Sequence, residues 1–146
     1  EAALDSLATA LKRTLRTEFA TDMQISVLDY TNEVSLYLDA ADLLFTKPGG
    51  LSSTEAAVKG IPMVHTAPIP GWESDNAAFF EALGLSRTGD TPLLQADQAA
   101  LLLASPAAME RMRERQRREI NPHAAEDISM LLLERAEADV PGERVI

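Results

Sequence analysis

Residues 42–66, DLLFTKPGGLSSTEAAVKGIPMVHT, predict a strand, a helix and a second strand in direct succession. The runs DLLFT and PMVHT are short and mostly apolar, as expected of strands that are covered on both faces. Between them, a Pro-Gly-Gly turn leads into SSTEAAV, which is typical of a helix start. A helix that connects two such strands predicts a parallel sheet with a crossover helix.

The alternation of strands and helices continues on both sides of this segment. We therefore predict an α/β fold, with an incomplete Rossmann-like parallel sheet of about four strands that is flanked by helices and ends in a helical C-terminal segment. The predicted strands cover residues 24–30, 42–46, 62–66 and 85–88, and the predicted helices cover 4–19, 31–41, 75–83, 97–103, 106–119 and a last stretch that starts after Asn121.

The composition excludes several classes of function. Of the 146 residues 46% are hydrophobic, which is enough for a core, and the formal net charge is −10. An acidic domain is a poor general binder of nucleic acids or anionic membranes. There is no cysteine, which excludes disulfides, thiolate chemistry and cysteine-ligated zinc, and this fits a reducing compartment.

The loop at residues 47–55 combines features of a nucleotide site. Ligands of parallel sheets bind beyond the carboxyl ends of the strands, in the loops that lead into helices. Gly49 and Gly50 let a ligand approach the backbone closely. The helix start that follows offers unpaired N–H groups and a partial positive charge, which suit a phosphate. Glu55 can accept hydrogen bonds from a pair of ribose hydroxyls.

The same residues have a structural interpretation of equal weight. Ser52 and Glu55 have the spacing of a capping box, in which the two side chains bond the orphan amides of the helix. Other phosphate and nucleophile motifs are excluded, because the P-loop and the GxGxxG pattern are absent. The run from Gly50 to Thr54 also lacks the final glycine of a nucleophile elbow.

The loop before residue 76 has the composition of a sugar site. Glu73 and Asn76 can bond sugar hydroxyls, and the face of Trp72 can lie against a sugar ring. The structural alternative, which we favour on these residues alone, is a helix capped by Ser74 or Asp75 with Trp72 as a lid on the core.

Two further features favour structural roles. His65 ends a predicted strand, where a buried and hydrogen-bonded histidine is a better interpretation than a side chain that reaches the cleft. The run RMRERQRRE, residues 111–119, interleaves Arg and Glu at helical spacing. This pattern favours a solvated helix face with local ion pairs over contact with an acidic surface or a lipid headgroup.

Residues 40–80 resemble the nucleotide-sugar-binding half of lipid-linked GT-B glycosyltransferases, above all the diacylglycerol glycosyltransferases and the monogalactosyldiacylglycerol synthases. The resemblance is carried by Lys47-Pro-Gly-Gly, Ser-x-x-Glu55 and Gly60-x-Pro62. The continuation Pro70-Gly71-x-Glu73-x-x-Asn76 makes a chance match improbable, and weaker similarity covers nearly the whole chain.

The resemblance implies an inverting transfer of a hexose from a UDP-sugar to the hydroxyl of a diacylglycerol-type lipid. It implies no metal or other cofactor, and the chain contains no D-x-D pair. It places part of the UDP-sugar-binding half at residues 1–120, and a C-terminal helix and tail at 121–146. The implied contacts are Gly49, Gly50, Leu51, Ser52 and Ser53 with the diphosphate, Glu55 with the ribose, Thr31 and Val34 with the uracil, and Trp72, Glu73 and Asn76 with the donor sugar.

The resemblance also implies which parts of such an enzyme this chain lacks. The acceptor domain and the catalytic base are expected upstream of Glu1, so we predict no turnover by the chain alone. We expect a homodimer of the chain, no nucleic-acid partner, and a cytoplasmic, peripheral location on the inner face of the membrane for the full-length protein. Relatives often carry Gln where this chain has Trp72, which leaves the identity of the sugar open.

Two other functions are compatible with the sequence. One is a UDP-sugar 2-epimerase, which would share the Ser-x-x-Glu helix start but would have no lipid acceptor. The other is a non-catalytic, helix-rich assembly module in which the capping box is purely structural.

Overall fold

The computed structural model describes residues 26, 28 and 30–138. The chain divides into two units, Glu1–Ser35 and Leu36–Ile146, which are described separately. The helix predicted for residues 4–19 lies outside the described residues, as does most of the strand predicted for residues 24–30. The division that we predict at residue 120 stays a prediction.

Three short strands form a parallel sheet in the order β1-β2-β3. Leu44 lies opposite Met63 in the first pair of strands, and Val64 lies opposite Arg87 in the second. The α/β fold with a parallel sheet is thereby confirmed, with three strands among the described residues. The elements are α1 (Val34–Asp39), β1 (Leu44–Thr46), α2 (Gly50–Val58), β2 (Met63–His65), α3 (Trp72–Ala82), β3 (Arg87–Thr88), α4 (Pro92–Leu103), α5 (Pro106–Glu119) and α6 (Ala124–Ala138).

The core lies on both faces of the central strand β2. Successive residues of a strand point to opposite faces, so Met63 and Val64 enter two different apolar clusters, and both are fully buried. The cluster around Met63 contains Leu38, Ala56, Ala57, Ile61, Phe80 and Leu85, and the cluster around Val64 contains Ala99, Leu102, Met109 and Met112.

Helices α4 and α6 begin at different residues from those predicted. Helix α4 starts at Pro92 instead of residue 97, because Thr91 caps it by accepting a hydrogen bond from the Leu94 amide at 3.3 Å. A Thr-Pro pair is a usual helix start, so the sequence did contain this signal. Helix α6 starts later, because Asn121 accepts a hydrogen bond from the amide of His123 and holds a turn before it.

Candidate functional site

Helix α2 begins at the carboxyl end of β1 with a backbone that has no side-chain cap. Gly49 is its N-cap residue, with φ −76° and ψ 144°. The amide of Ser53 donates to the carbonyl of Gly49 at 3.1 Å, which closes the first helical turn. In the described part of the chain, the amides of Gly50, Leu51 and Ser52 have no hydrogen-bond partner. As far as the described residues go, three N–H groups are therefore free at the positive end of the helix.

The predicted capping box is wrong. The helix begins at Gly50, so Ser52 already lies inside the first turn and Glu55 lies in the second. The physical reason is the glycine pair, which lets the helix start before the hydroxyl residues. Neither the Ser52 hydroxyl nor the Glu55 carboxylate makes a hydrogen bond within the described residues, and their spacing puts both on the same side of the helix.

Two of the five residues predicted to hold a diphosphate have their amides bonded within the chain. The Gly49 amide donates to the carbonyl of Lys47 at 2.7 Å, and the Ser53 amide makes the helical bond described above. The Ser53 side chain is buried, and its hydroxyl lies 3.0 Å from Nε2 of His65. Among the described residues, the backbone N–H groups that remain available to a ligand are therefore those of Gly50, Leu51 and Ser52.

His65, the last residue of β2, contacts Ser53 of α2 and Ser86, which precedes β3. Its Nδ1 lies 3.2 Å from the hydroxyl of Ser86, so both ring nitrogens have partners, and the ring packs edge-on against Phe80. Burial lowers the pKa of His65 from 6.5 to about 4, because the charged imidazolium would lose its hydration. The interpretation as a buried, satisfied histidine is confirmed. Ser86 had no recognisable signal in the sequence, because it acts only through this contact.

Helix α3 also starts without a side-chain cap. Its N-cap residue is Gly71, with φ 111° and ψ −134°, a conformation that favours glycine. The predicted caps Ser74 and Asp75 are wrong, because the helix already begins at Trp72. The predicted core lid is also wrong, because Trp72 is 88% exposed. Its ring stands in solvent at the start of the helix.

Glu73 and Asn76 hold the loops of the site in place. The Glu73 carboxylate accepts a hydrogen bond from the amide of Ile69 at 2.8 Å, which closes the loop that leads into α3. The Asn76 side-chain amide donates to the carbonyl of Pro48 at 3.0 Å. The second bond ties the loop after β2 directly to the loop after β1. This bond is a physical link between the two loops, and their role as one binding site stays a prediction.

Thr31 and Val34, the residues predicted to contact a uracil, belong to the Glu1–Ser35 unit. The Thr31 hydroxyl accepts a hydrogen bond from the amide of Glu33 at 3.0 Å, just before α1 begins at Val34. Their predicted role in binding stays a prediction.

The described residues also bear on metals and membranes. No group of three or more His, Asp or Glu side chains among them has the arrangement of a metal site. No helix in that part of the chain is long and apolar enough to cross a bilayer.

Curated relatives of this chain are lipid glycosyltransferases by name. It is 36% identical over 104 residues to a processive diacylglycerol beta-glucosyltransferase of Staphylococcus saprophyticus, which covers 71% of this chain and 27% of that protein. Proteins of the same name from Staphylococcus epidermidis and Staphylococcus aureus are 38% and 36% identical over 82 and 95 residues, which are 56% and 65% of this chain. The chain thus spans only about a quarter of their length, 21–27%, in their C-terminal part.

One solved structure of a glycosyltransferase also resembles this chain. The fold is similar to that of a crystal structure described as the glycotransferase of kitacinnamycin, with a TM-score of 0.56 and 26% sequence identity over 80% of this chain and 33% of the other. No family model matches the chain. The predicted resemblance to glycosyltransferases of diacylglycerol is confirmed.

Proposed function

Because the chain is homologous to the C-terminal part of diacylglycerol beta-glucosyltransferases, we propose that it binds the UDP-sugar donor of such a transferase. The reaction would be an inverting transfer of a hexose to the hydroxyl of a diacylglycerol-type lipid. The supporting observation is the start of α2, where the amides of Gly50, Leu51 and Ser52 have no partner among the described residues.

These amides suit the diphosphate of UDP. Backbone N–H groups at a helix start can donate to phosphate oxygens, and the helix dipole favours negative charge there. During transfer of the sugar, negative charge develops on the leaving UDP. Donors that already point at it would stabilise the transition state without reorganisation. The Ser52 hydroxyl supplies one more donor at the same place.

Glu55 is the candidate for the ribose hydroxyls. It lies in the second turn of α2, on the same side as Ser52, and its carboxylate is exposed and without a hydrogen bond in the described part of the chain. A carboxylate accepts only, so it is matched to a pair of hydroxyl donors and not to the phosphates.

The start of α3 is the candidate for the donor sugar. The Asn76–Pro48 bond brings it beside the loop that precedes α2. Trp72 offers an exposed aromatic face, which can stack on the apolar side of a sugar ring. Glu73 uses one carboxylate oxygen on the Ile69 amide, and its other oxygen can accept from a sugar hydroxyl.

The Glu55 proposal predicts a loss of UDP affinity. Replacing Glu55 with Ala is expected to raise the Kd for UDP about tenfold or more, because hydrogen bonds to a charged group are lost. Isothermal titration of the chain with UDP measures the change. Thr54→Ala is the matched control, since Thr54 is the adjacent exposed residue of the same helix but has no proposed contact.

A modified ligand makes this test specific for the ribose. UDP that lacks the 2′-hydroxyl should bind the unmodified chain more weakly than UDP does. It should bind the Glu55→Ala chain about as well as UDP binds that variant. Equal effects of the missing hydroxyl in both chains would show that Glu55 does not contact the ribose.

Metal independence is a second expectation. We expect the affinity for UDP to be unchanged by EDTA or by added Mg²⁺, because α2 and the Ser52 hydroxyl supply the donors for the diphosphate. Titrations with and without each reagent measure this. A Kd that falls several-fold with Mg²⁺ would contradict it.

A further inference from the structure

One cavity lies away from the loops of the proposed donor site. It has a volume of about 120 Å³ and is lined by the end of α3, the start of β3, Leu102 of α4 and one face of α5. The donor site is at the carboxyl ends of the parallel strands, so a cavity at the start of β3 lies toward the opposite edge of the sheet. Its charged lining consists of Arg87, Arg111, Arg115 and a single carboxylate, Glu81.

This concentration of arginine contrasts with the composition of the chain. Acidic residues outnumber Lys and Arg by 23 to 13 in the whole sequence. Arg111 and Arg115 are four residues apart on one helix, where like charges face each other and repel. Arg87 brings a third positive charge to the lining of the same cavity. An anion between them would relieve the repulsion.

The arginines of α5 fall into two groups by their partners. Three of them form ion pairs with glutamates of the same helix, namely Arg113 and Arg117 with Glu110, and Arg118 with Glu119. For these residues, the predicted solvated face with local ion pairs is confirmed.

The two α5 arginines that line the cavity behave differently. Within the described residues, Arg111 and Arg115 form no salt bridge, and neither does Arg87. The carboxylate of Glu81 lines the same cavity without an ion pair to any of them. The three arginines that line the cavity are thus arginines without an ion pair among the described residues.

Gly84 fixes the position of one of these groups. A Cβ atom built on Gly84 would lie 1.9 Å from Nη1 of Arg115, so this guanidinium rests directly on the glycine backbone. Gly84 also has φ +69°, which ends α3 in a conformation that favours glycine. A rigid turn therefore supports the arginine at the rim of the cavity.

We propose that the cavity lined by Arg87, Arg111 and Arg115 is a binding site for a phosphate or phosphomonoester group. Guanidinium groups bind phosphate oxygens through paired, charge-assisted N–H bonds, and three of them match a doubly charged anion. This site does not depend on the proposed donor site. The same chemistry is offered by free phosphate and by the headgroup of an acidic phospholipid.

The first test uses inorganic phosphate and the full chain. Phosphate at about ten times its Kd should raise the melting temperature by roughly 4 °C relative to chloride at the same ionic strength. Arg111→Gln and Arg115→Gln should each weaken phosphate binding about tenfold or more. Arg117→Gln is the matched control, because it changes the same helix and the same charge outside the cavity.

Phosphate could also bind at the start of α2. Because the cavity variants and the control all keep that helix start unchanged, a difference between them reports on the cavity alone. Equal phosphate effects in the Arg111→Gln, Arg115→Gln and control chains would overturn the proposal. NMR of the unmodified chain gives a test without substitutions. Phosphate should shift the Nε–Hε signals of Arg87, Arg111 and Arg115 more than those of the paired arginines, and uniform shifts would contradict a defined site.

The source of the phosphate group is tested with vesicles. Vesicles that contain phosphatidic acid in phosphatidylcholine should bind the chain if a lipid headgroup is the ligand, and the double variant Arg111→Gln, Arg115→Gln should lose this binding. Phosphate binding without vesicle binding would identify a soluble ligand. The absence of both would disprove the site.

Discussion

Replacing Gln116 with Leu is expected to lower the free energy of unfolding by roughly 2–6 kcal/mol, because two buried carbonyls would lose their hydrogen-bond donor. Gln116 is fully buried on α5, and its side-chain amide donates to the carbonyls of Ile61 and Leu85, both at 2.9 Å. These carbonyls precede β2 and β3, so one side chain holds the entry of two strands. Leu has a similar volume, and the exchange also removes the Gln116 Oε1, a buried acceptor that has no partner among the described residues.

Urea denaturation of the chain measures the effect of this substitution. Gln98→Leu is the matched control, because Gln98 is only partly buried and makes no side-chain hydrogen bond in the part of the chain described. If Gln116→Leu were no more destabilising than Gln98→Leu, the two hydrogen bonds would contribute nothing to stability.

Acidification is expected to destabilise the chain through His65, by about 3 kcal/mol in total. The pKa of His65 is about 4 in the folded protein and 6.5 as the ordinary value. Between these values the unfolded chain binds a proton that the folded chain does not. Stability is therefore full above pH 6.5 and falls as the pH is lowered toward 4.

Measurement of the free energy of unfolding at several pH values tests this expectation. His65→Gln is less stable at neutral pH but lacks the buried titration, so its stability should fall less over the same range. Carboxylates titrate in both chains, and the difference between the chains isolates His65. His123→Gln is a control with an exposed histidine. Parallel pH curves for His65→Gln and the unmodified chain would contradict the assignment.

Much of the fold could be predicted because its signals are local. The two short apolar runs around the Pro-Gly-Gly turn gave the parallel pair of strands, β1 and β2, and Gly84 marked the end of α3, where φ is +69°. These features depend on the residues within one element and its ends.

The starts of the helices in the site could not be predicted as well. Ser52 and Glu55 match a capping box, yet the helix begins earlier, where the glycine pair permits it. The Ser53 side chain is buried, and its hydroxyl pairs with His65 on the neighbouring strand β2. A local motif cannot reveal such a contact, because the competing partner is distant in sequence. Trp72 was misjudged for a similar reason, since apolar character alone does not determine burial.

If the chain binds a sugar donor as proposed, the hydrogen bond between Asn76 and Pro48 has a consequence for the choice of sugar. Since it joins the two loops that we propose to hold the sugar and the diphosphate, a substitution that breaks it would be expected to affect both loops. A single substitution would then change both the preference among hexoses and the affinity for the nucleotide. Attempts to exchange the sugar specificity of this chain should start from exposed Trp72, which can be changed without disturbing that bond.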